Sequence, residues 1–470
     1  MNVWFLGIAG AGMSALASVL ASERHAVSGS DAGVFPPVSD YLTRAGIAWR
    51  DGFDAAALPE AIDVAIVGSS ARLGLAANPE LAELIRRGVP RFSFPAFLAE
   101  HTRSRENLVV AGSFGKSTLA ALLAVLLREA GRDPGYFIGA VPLDLEATGH
   151  GGTDRVFVIE GDEYVVGEGD RRSKFLLYRP AALLISSLVH DHLNAFPTMA
   201  DYEAPFAELI GRLPTDKLLV CAHAHEPLRR LTAGRTVVWY GADRCPGYFA
   251  ERVEVGEVTR LDLVTPAGVR IALETPLLGR HNIENIVGAA AFLLERGDIG
   301  AEALQRGVRR FLGVARRLDK KTAVSTVPAY EGFGSSLEKA RSAIEAILLH
   351  FPDRPAVVVF EPHAFSWRNA DAMRWYDTVF EGVARVILLP PPKDGAAAHR
   401  QLDQGQIAAR IAGAGVAVVT VEDGPEALAA LADLKGDEVV LLLSSGPLGG
   451  LPRSLPAMLD ARFAPAPEPV

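Results

Sequence analysis

Val109-Val110-Ala111-Gly112-Ser113-Phe114-Gly115-Lys116-Ser117-Thr118 is the stretch that decides the fold. The apolar run Leu108 to Ala111 reads as a buried strand, and Lys116-Ser117-Thr118 opens an apolar helix, Leu119 to Arg128. Between them lies a turn bracketed by Gly112 and Gly115. Strand, glycine turn and lysine-led helix, in that order, make a phosphate-binding loop. Glycines let backbone N–H groups approach a phosphate, and the helix N-terminus adds partial positive charge. Lys116 is then placed for the β- and γ-phosphates and the Ser117 hydroxyl for Mg²⁺. The loop departs from the pattern G-x-x-x-x-G-K-[ST], because Val110 stands where the first glycine falls. The plainer reading is a Gly-Lys-Ser at an ordinary helix start. The strand before it and the long apolar helix after it argue against that.

Outward from this loop, the 470 residues suffice for about three domains of roughly 150 residues each. Hydrophobic residues make up 49%, enough for a large core, and the net charge of -9 argues against a nucleic-acid partner. The two cysteines, Cys221 and Cys245, have no metal-type spacing, so a reducing, cytoplasmic setting is expected. The apolar start Val3 to Ile8 is too short to span a membrane and lacks a basic flank. The tail Ala464 to Val470 is expected to be disordered.

Before the loop, Val3 to Ile8 reads as a strand, Gly7-Ile8-Ala9-Gly10-Ala11-Gly12 as a glycine turn and Met13 to Ser22 as a helix. Further strands fall at His25 to Gly29, ending in Ser30-Asp31, and at Asp63 to Ser69. This is a doubly wound nucleotide-binding pattern, with a diphosphate site at the glycines and Asp31 placed for a sugar hydroxyl. Taken alone it suggests an NAD enzyme, although the glycines do not fit G-x-G-x-x-G in register. After the loop, Val156 to Ile159 is a strand ending in Glu160-Gly161-Asp162-Glu163, and carboxylates at such a strand end suit Mg²⁺. The strand Ala181 to Ser187 leads into His190-Asp191-His192, and Asn282 and Asn285 fall near the start of a helix, Ile286 to Glu295, where capping is their plainer role. Beyond about residue 315, strands at Ala356 to Phe360, Val386 to Leu389, Val416 to Val421 and Glu438 to Leu443 alternate with helices at Leu337 to His350, Gln404 to Ala412 and Pro425 to Leu434. The fold class is α/β, with three consecutive α/β domains: a Rossmann-like domain over 1–103, a P-loop ATPase domain over 104–314 and a Rossmann-like domain over 315–470.

Several stretches together resemble the Mur ligases, the ATP-dependent amide-forming enzymes of peptidoglycan assembly. Gly7-Ile8-Ala9-Gly10-Ala11-Gly12-Met13-Ser14 is similar to the start of the branch that adds L-alanine to UDP-N-acetylmuramate. Gly29 to Ser39, Phe137 to Pro142 and Arg171 to Pro180 resemble the branch that reattaches recycled tripeptide. The family's own phosphate loop is short, as here. The resemblance implies ATP and Mg²⁺ as cofactors, UDP-N-acetylmuramate plus an amino acid or peptide as substrates, no nucleic-acid or membrane partner, and a monomer or homodimer.

It also implies roles. Gly10, Ala11, Gly12, Met13, Ser14, Asp31, Ser69, Ser70 and Asn78 line the UDP-sugar site. Ser113, Gly115, Lys116, Ser117 and Thr118 hold the ATP phosphates; His281, Asn282, Asn285 and Arg316 complete the nucleotide site. Lys116, Glu160 and His192 are the catalytic set, with Ser117, Glu160 and His192 associated with the metal. There are departures. Phe114 stands for a histidine, Val165 and Val189 for acids, and Glu331-Gly332-Phe333-Gly334-Ser335-Ser336 for a stretch with a second acid and two histidines. Two functional classes follow: an active ligase, or a degenerate, non-catalytic protein that binds nucleotide or UDP-sugar.

Overall fold

The computed structural model describes residues 1–34, 38–69, 73–74, 78–167, 169–192, 195–392 and 400–465. Ser70, Asn194 and the last residues of the tail lie outside the described residues. The chain forms two compact units. One is Met1–Val253 with Leu261–Thr275 and His281–Val314; the other is Glu254–Arg260 with Pro276–Arg280 and Ala315–Val470.

Among the described residues the first unit holds a two-stranded hairpin and two larger sheets. The smaller of these two sheets has the strand order Ala48–Asp51, Ala26–Asp31, Asn2–Leu6, Val64–Val67, Arg91–Ser93, all parallel. The chain reverses direction of travel at the central strand Asn2–Leu6, so the glycine turn after it opens at a topological switch point, where α/β folds bind ligands. The helix that follows runs over Ala11–Ser22, two residues earlier than the apolar pattern suggests.

The larger sheet places the phosphate loop. Its middle strand, Glu106–Ala111, is flanked in parallel by Pro180–Ile185 and Val156–Glu160. Leu108 to Ala111 are fully buried on both faces, which is why they read as a continuous apolar run with no alternation. Register pairs Ala111 with Ile185 and Val110 with Glu160. Three chain segments therefore leave the sheet side by side at one edge: the phosphate loop, the acidic turn after Glu160 and the segment leading to His192. The helix Lys116–Glu129 carries the loop; Ser117 to Leu127 are buried, so it runs through the interior of the unit.

The second unit is a six-stranded sheet in the order Arg317–Lys320, Ala329–Gly332, Val439–Leu443, Ala356–Phe360, Arg385–Leu388, Ala417–Thr420, parallel except at the first edge pair. One face packs on the helix Leu337–His350 and on Trp367, Tyr376 and Phe380; the other packs on Leu451, Leu455 and Leu459. Those last three sit on a helix, Leu451–Arg462, that the sequence pattern does not announce. Pro452 and Pro456 hide it, yet the leucines at every fourth position bury one face, and proline is tolerated in a first turn. Among the described residues no helix is long and apolar enough to cross a membrane.

Candidate active site

The loop conformation depends on its glycines. Gly112 has φ +138°, and a Cβ there would collide with Ser186 Oγ. Gly115 has φ +83°, and a Cβ would lie 2.6 Å from Asn285 Oδ1. Both positions demand glycine, for close approach and for backbone sign. The loop is then fastened to the neighbouring strand end. Phe114 N–H donates to Ser187 Oγ at 2.8 Å, and Ser113 N–H donates to the Ser187 carbonyl at 3.2 Å. Ser113 Oγ accepts the Val189 N–H (2.8 Å) and donates to the Val189 carbonyl (2.7 Å).

Lys116, Ser117 and Glu160 come together as expected. Ser117 Oγ donates to Glu160 Oε1 at 2.7 Å, and the Gly139 N–H holds the other carboxylate oxygen at 2.6 Å. Lys116 Nζ lies 2.7 Å from Glu163 Oε2 and also donates to the Gly112 carbonyl at 2.6 Å. Burial alone depresses an ammonium; here the carboxylates of Glu163, Asp162 and Glu160 outweigh it, and the Lys116 pKa is raised. His192, at φ +55°, places Nε2 3.3 Å from Glu163 Oε1. That hydrogen bond chiefly raises the His192 pKa, against the pull of burial.

Glu163 is thus the hub of the site, and it has no exposed surface. The acidic strand end signals it, but only the fold says which of three acids faces the lysine. Asp162 turns instead to Lys174, 2.6 Å away, whose ammonium also lies over the Phe94 and Tyr164 rings. Burial would raise the Asp162 pKa, and Lys174 overrides it to lower it. Tyr202, which gives no sequence signal, donates to Ser113 Oγ at 2.9 Å.

Asn282 and Asn285 are not caps. The helix starts earlier than expected, at Arg280 and not Ile286, so both lie inside it, with Asn285 Nδ2 donating to Asn282 Oδ1 at 3.2 Å and Asn285 Oδ1 turned to Gly115. His281 opens the same helix and Thr118 is buried in the first turn of the loop helix. Arg316 belongs to the second unit. There its guanidinium contacts Glu331 (3.1 Å) and the carbonyls of Ser444 and Gly446, and stacks 5.2 Å from the centre of the Phe333 ring.

In the smaller sheet, Gly10 and Ala11 are exposed at the helix start, Gly12 packs beneath the Phe94 ring, and Met13 and Ser14 are buried. Asp31 is buried and accepts the Ala9 N–H at 3.0 Å, so it fastens the glycine turn. Asn78 caps the helix Pro79–Arg86 by accepting the N–H groups of Glu80 and Leu81. Ser69 is exposed and faces Gly167 of the hairpin Val165–Gly167/Asp170–Ser173. In the second unit Trp367 has no exposed surface and packs on Phe360, Trp375 and Tyr376, so it is core.

A lysine-led glycine turn at a helix start, with a serine–carboxylate pair beside it, is a candidate phosphate site. Comparison with known proteins narrows this. The Mur ligase family profile described as its catalytic domain matches residues 2–106, and that of the Mur ligase middle domain matches residues 110–293. The chain is 31% identical over 346 residues to the UDP-N-acetylmuramate–L-alanyl-γ-D-glutamyl-meso-2,6-diaminoheptandioate ligase of Escherichia coli (strain K12), covering 71% of this chain and 72% of that one. It is 34% identical over 374 residues to the UDP-N-acetylmuramate–L-alanine ligase of Paenarthrobacter aurescens (strain TC1), covering 78% of each. In fold it is similar to the crystal structure of UDP-N-acetylmuramate–alanine ligase from Thermotoga maritima, with a TM-score of 0.81 at 20% identity over 98% of this chain and 99% of that one. The chain belongs to the Mur ligase family, and it is an ATP-dependent ligase that forms an amide between a carboxylate and an amine.

Proposed function

We propose that this ligase is catalytically active with Mg²⁺ and ATP, and that it joins UDP-N-acetylmuramate to a muropeptide in preference to free L-alanine. The observation that carries catalytic competence is the Ser117–Glu160 pair at 2.7 Å beside Lys116. A hydroxyl and a carboxylate are hard oxygen donors, and Mg²⁺ takes few protein ligands, filling its shell with phosphate oxygens and water. No three His, Cys, Asp or Glu side chains converge on a metal position among the described residues, which is compatible with that sparse set. The glycine turn ahead of a helix N-terminus is the kind of backbone that cradles a phosphate chain. In this reading Ser117, Glu160 and His192 hold the metal side.

ATP supplies the phosphoryl group that turns the carboxylate into an acyl phosphate; the amine then attacks its carbonyl carbon, the amide forms and phosphate leaves. The chain's own work is positioning and charge. Loop N–H groups bind phosphate oxygens. Lys116, kept protonated by the acids around it, neutralises charge on the transferring group. Asn285, against Gly115, and the neighbouring His281 and Asn282 serve the nucleotide's base side. The UDP-sugar lies on Gly10 to Ser14 and Ser69, with Asp31 and Asn78 shaping the loops. The domains are 1–103 for UDP-sugar, 104–314 for ATP and 315–470 for the acceptor, working in the cytoplasm.

The choice of acceptor rests on Arg171 to Pro180 and on the Escherichia coli relative named for the tripeptide. Phe333 and Phe365, each 40% exposed, offer apolar surface to a larger amine. A screen of amines with ATP, Mg²⁺ and UDP-N-acetylmuramate, read by mass spectrometry, tests this. We expect product with the tripeptide; rapid turnover with L-alanine alone would overturn the choice. Nucleotide binding without turnover on any amine would favour the non-catalytic class.

A further inference from the structure

Tyr202 is fully buried on the helix Met199–Arg212, whose first turn is closed by a Thr198–Asp201 capping box. The rings of His190, Phe196 and Phe206 stand around it at 5.8, 5.4 and 5.5 Å between centroids, which confines the phenol. Its hydroxyl has two acceptors within reach: Ser113 Oγ at 2.9 Å and Glu163 Oε1 at 3.3 Å. Ser113 Oγ already gives its one proton to the Val189 carbonyl and accepts the Val189 N–H. With the Tyr202 O–H added, both its lone pairs and its proton are used. The Ser113 side chain therefore has no hydrogen-bonding capacity left for a phosphate. It is a joint, and Tyr202 is the third member of that joint. The same phenol reaches the carboxylate that faces Lys116.

We propose that Tyr202 is a positioning residue for the nucleotide. Its single proton, shared between Ser113 Oγ and Glu163 Oε1, ties the start of the loop to the partner of Lys116, so that loop and lysine are presented together. A packing role alone would need the ring and not the oxygen. The proposal rests on the ligase reading for the identity of the nucleotide and not for the geometry.

The test compares the wild-type chain with Tyr202→Phe, Ser113→Ala and the double variant. ADP affinity is measured by calorimetry, KM for ATP and for UDP-N-acetylmuramate by steady-state kinetics, and folding by the melting temperature. Tyr202→Phe keeps the ring and should fold as wild type. We expect ADP affinity to fall, and KM for ATP to rise, by roughly five- to tenfold, the worth of one buried hydrogen bond. KM for UDP-N-acetylmuramate should stay unchanged. The double variant should bind ADP no worse than the weaker single variant within about twofold, since the two side chains act as one joint. Unchanged ADP affinity in Tyr202→Phe would overturn the proposal. So would equal rises in both KM values, or losses that multiply in the double variant. A wild-type chain that binds ADP without ligating would refute the ligase reading, while the ADP comparison would still decide the role of Tyr202.

Discussion

Lys116→Met removes the proposed phosphate ligand, and it also takes one partner from a buried ion pair, so the fold is expected to lose stability. Glu163 has no exposed surface, and Lys116, with a side chain only 13% exposed, lies 2.7 Å away. Taking one partner from a buried ion pair strands the other charge at a cost of about 3–5 kcal/mol. Glu163 keeps His192 and Tyr202 on its other oxygen, both at 3.3 Å, so we expect the loss to be about 2–3 kcal/mol. For a unit of this size that lowers the melting temperature by about 3–5 °C. Lys116→Met/Glu163→Gln removes both charges and should recover at least about 1 kcal/mol relative to the sum of the single variants. The assay is urea denaturation near neutral pH for the wild type, both single variants and the double. Lys116→Met within about 0.5 kcal/mol of wild type, or strictly additive losses, would refute the pairing argument.

Three further outcomes are expected. Gly115→Ala sets a Cβ 2.6 Å from Asn285 Oδ1 at φ +83°, so ADP affinity should fall by at least roughly tenfold; unchanged affinity in calorimetry would show that the loop does not need this conformation. His350 is buried in the second unit as the Nδ1–H tautomer, donating to the Gly256 carbonyl at 2.7 Å and accepting the Gly279 N–H at 2.8 Å on Nε2. Burial lowers its pKa, so its contribution to stability is complete above about pH 6.5 and is lost as pH falls through the lower folded value. His350→Leu should lose about 1–3 kcal/mol near neutral pH and flatten the acid limb of urea stability; a limb equal to that of wild type would contradict this. Calorimetry should show UDP-N-acetylmuramate and not NAD bound by the glycine turn at Gly10 to Gly12; the reverse would overturn that assignment.

The strands were legible where burial is two-sided, as at Leu108 to Ala111, and the helix Leu337–His350 matches its apolar spacing end to end. The strand, glycine turn and helix of the proposed phosphate loop were legible because an apolar run, two glycines and a lysine-led apolar helix follow one another in sequence. Three things were not. Asp31 and Asn78 match ligand positions, yet each has hydrogen bonds that shape a loop or helix end, and local sequence cannot separate the two jobs. At Trp367 local sequence says nothing about which way the ring turns; it turns into the core. The Lys116–Glu163–His192 arrangement and Tyr202 join residues up to 89 positions apart, and such pairing comes only from the parallel register of three strands.

The central claim is that this chain uses ATP to activate a carboxylate of a UDP-sugar for amide formation. Phosphate release measured with ATP and Mg²⁺, in the presence and absence of UDP-N-acetylmuramate and of the tripeptide, tests it most directly. The account predicts sustained release only when all three substrates are present, and none in Lys116→Met. Release independent of UDP-N-acetylmuramate, or no release with any amine from a chain that binds ADP, would contradict it.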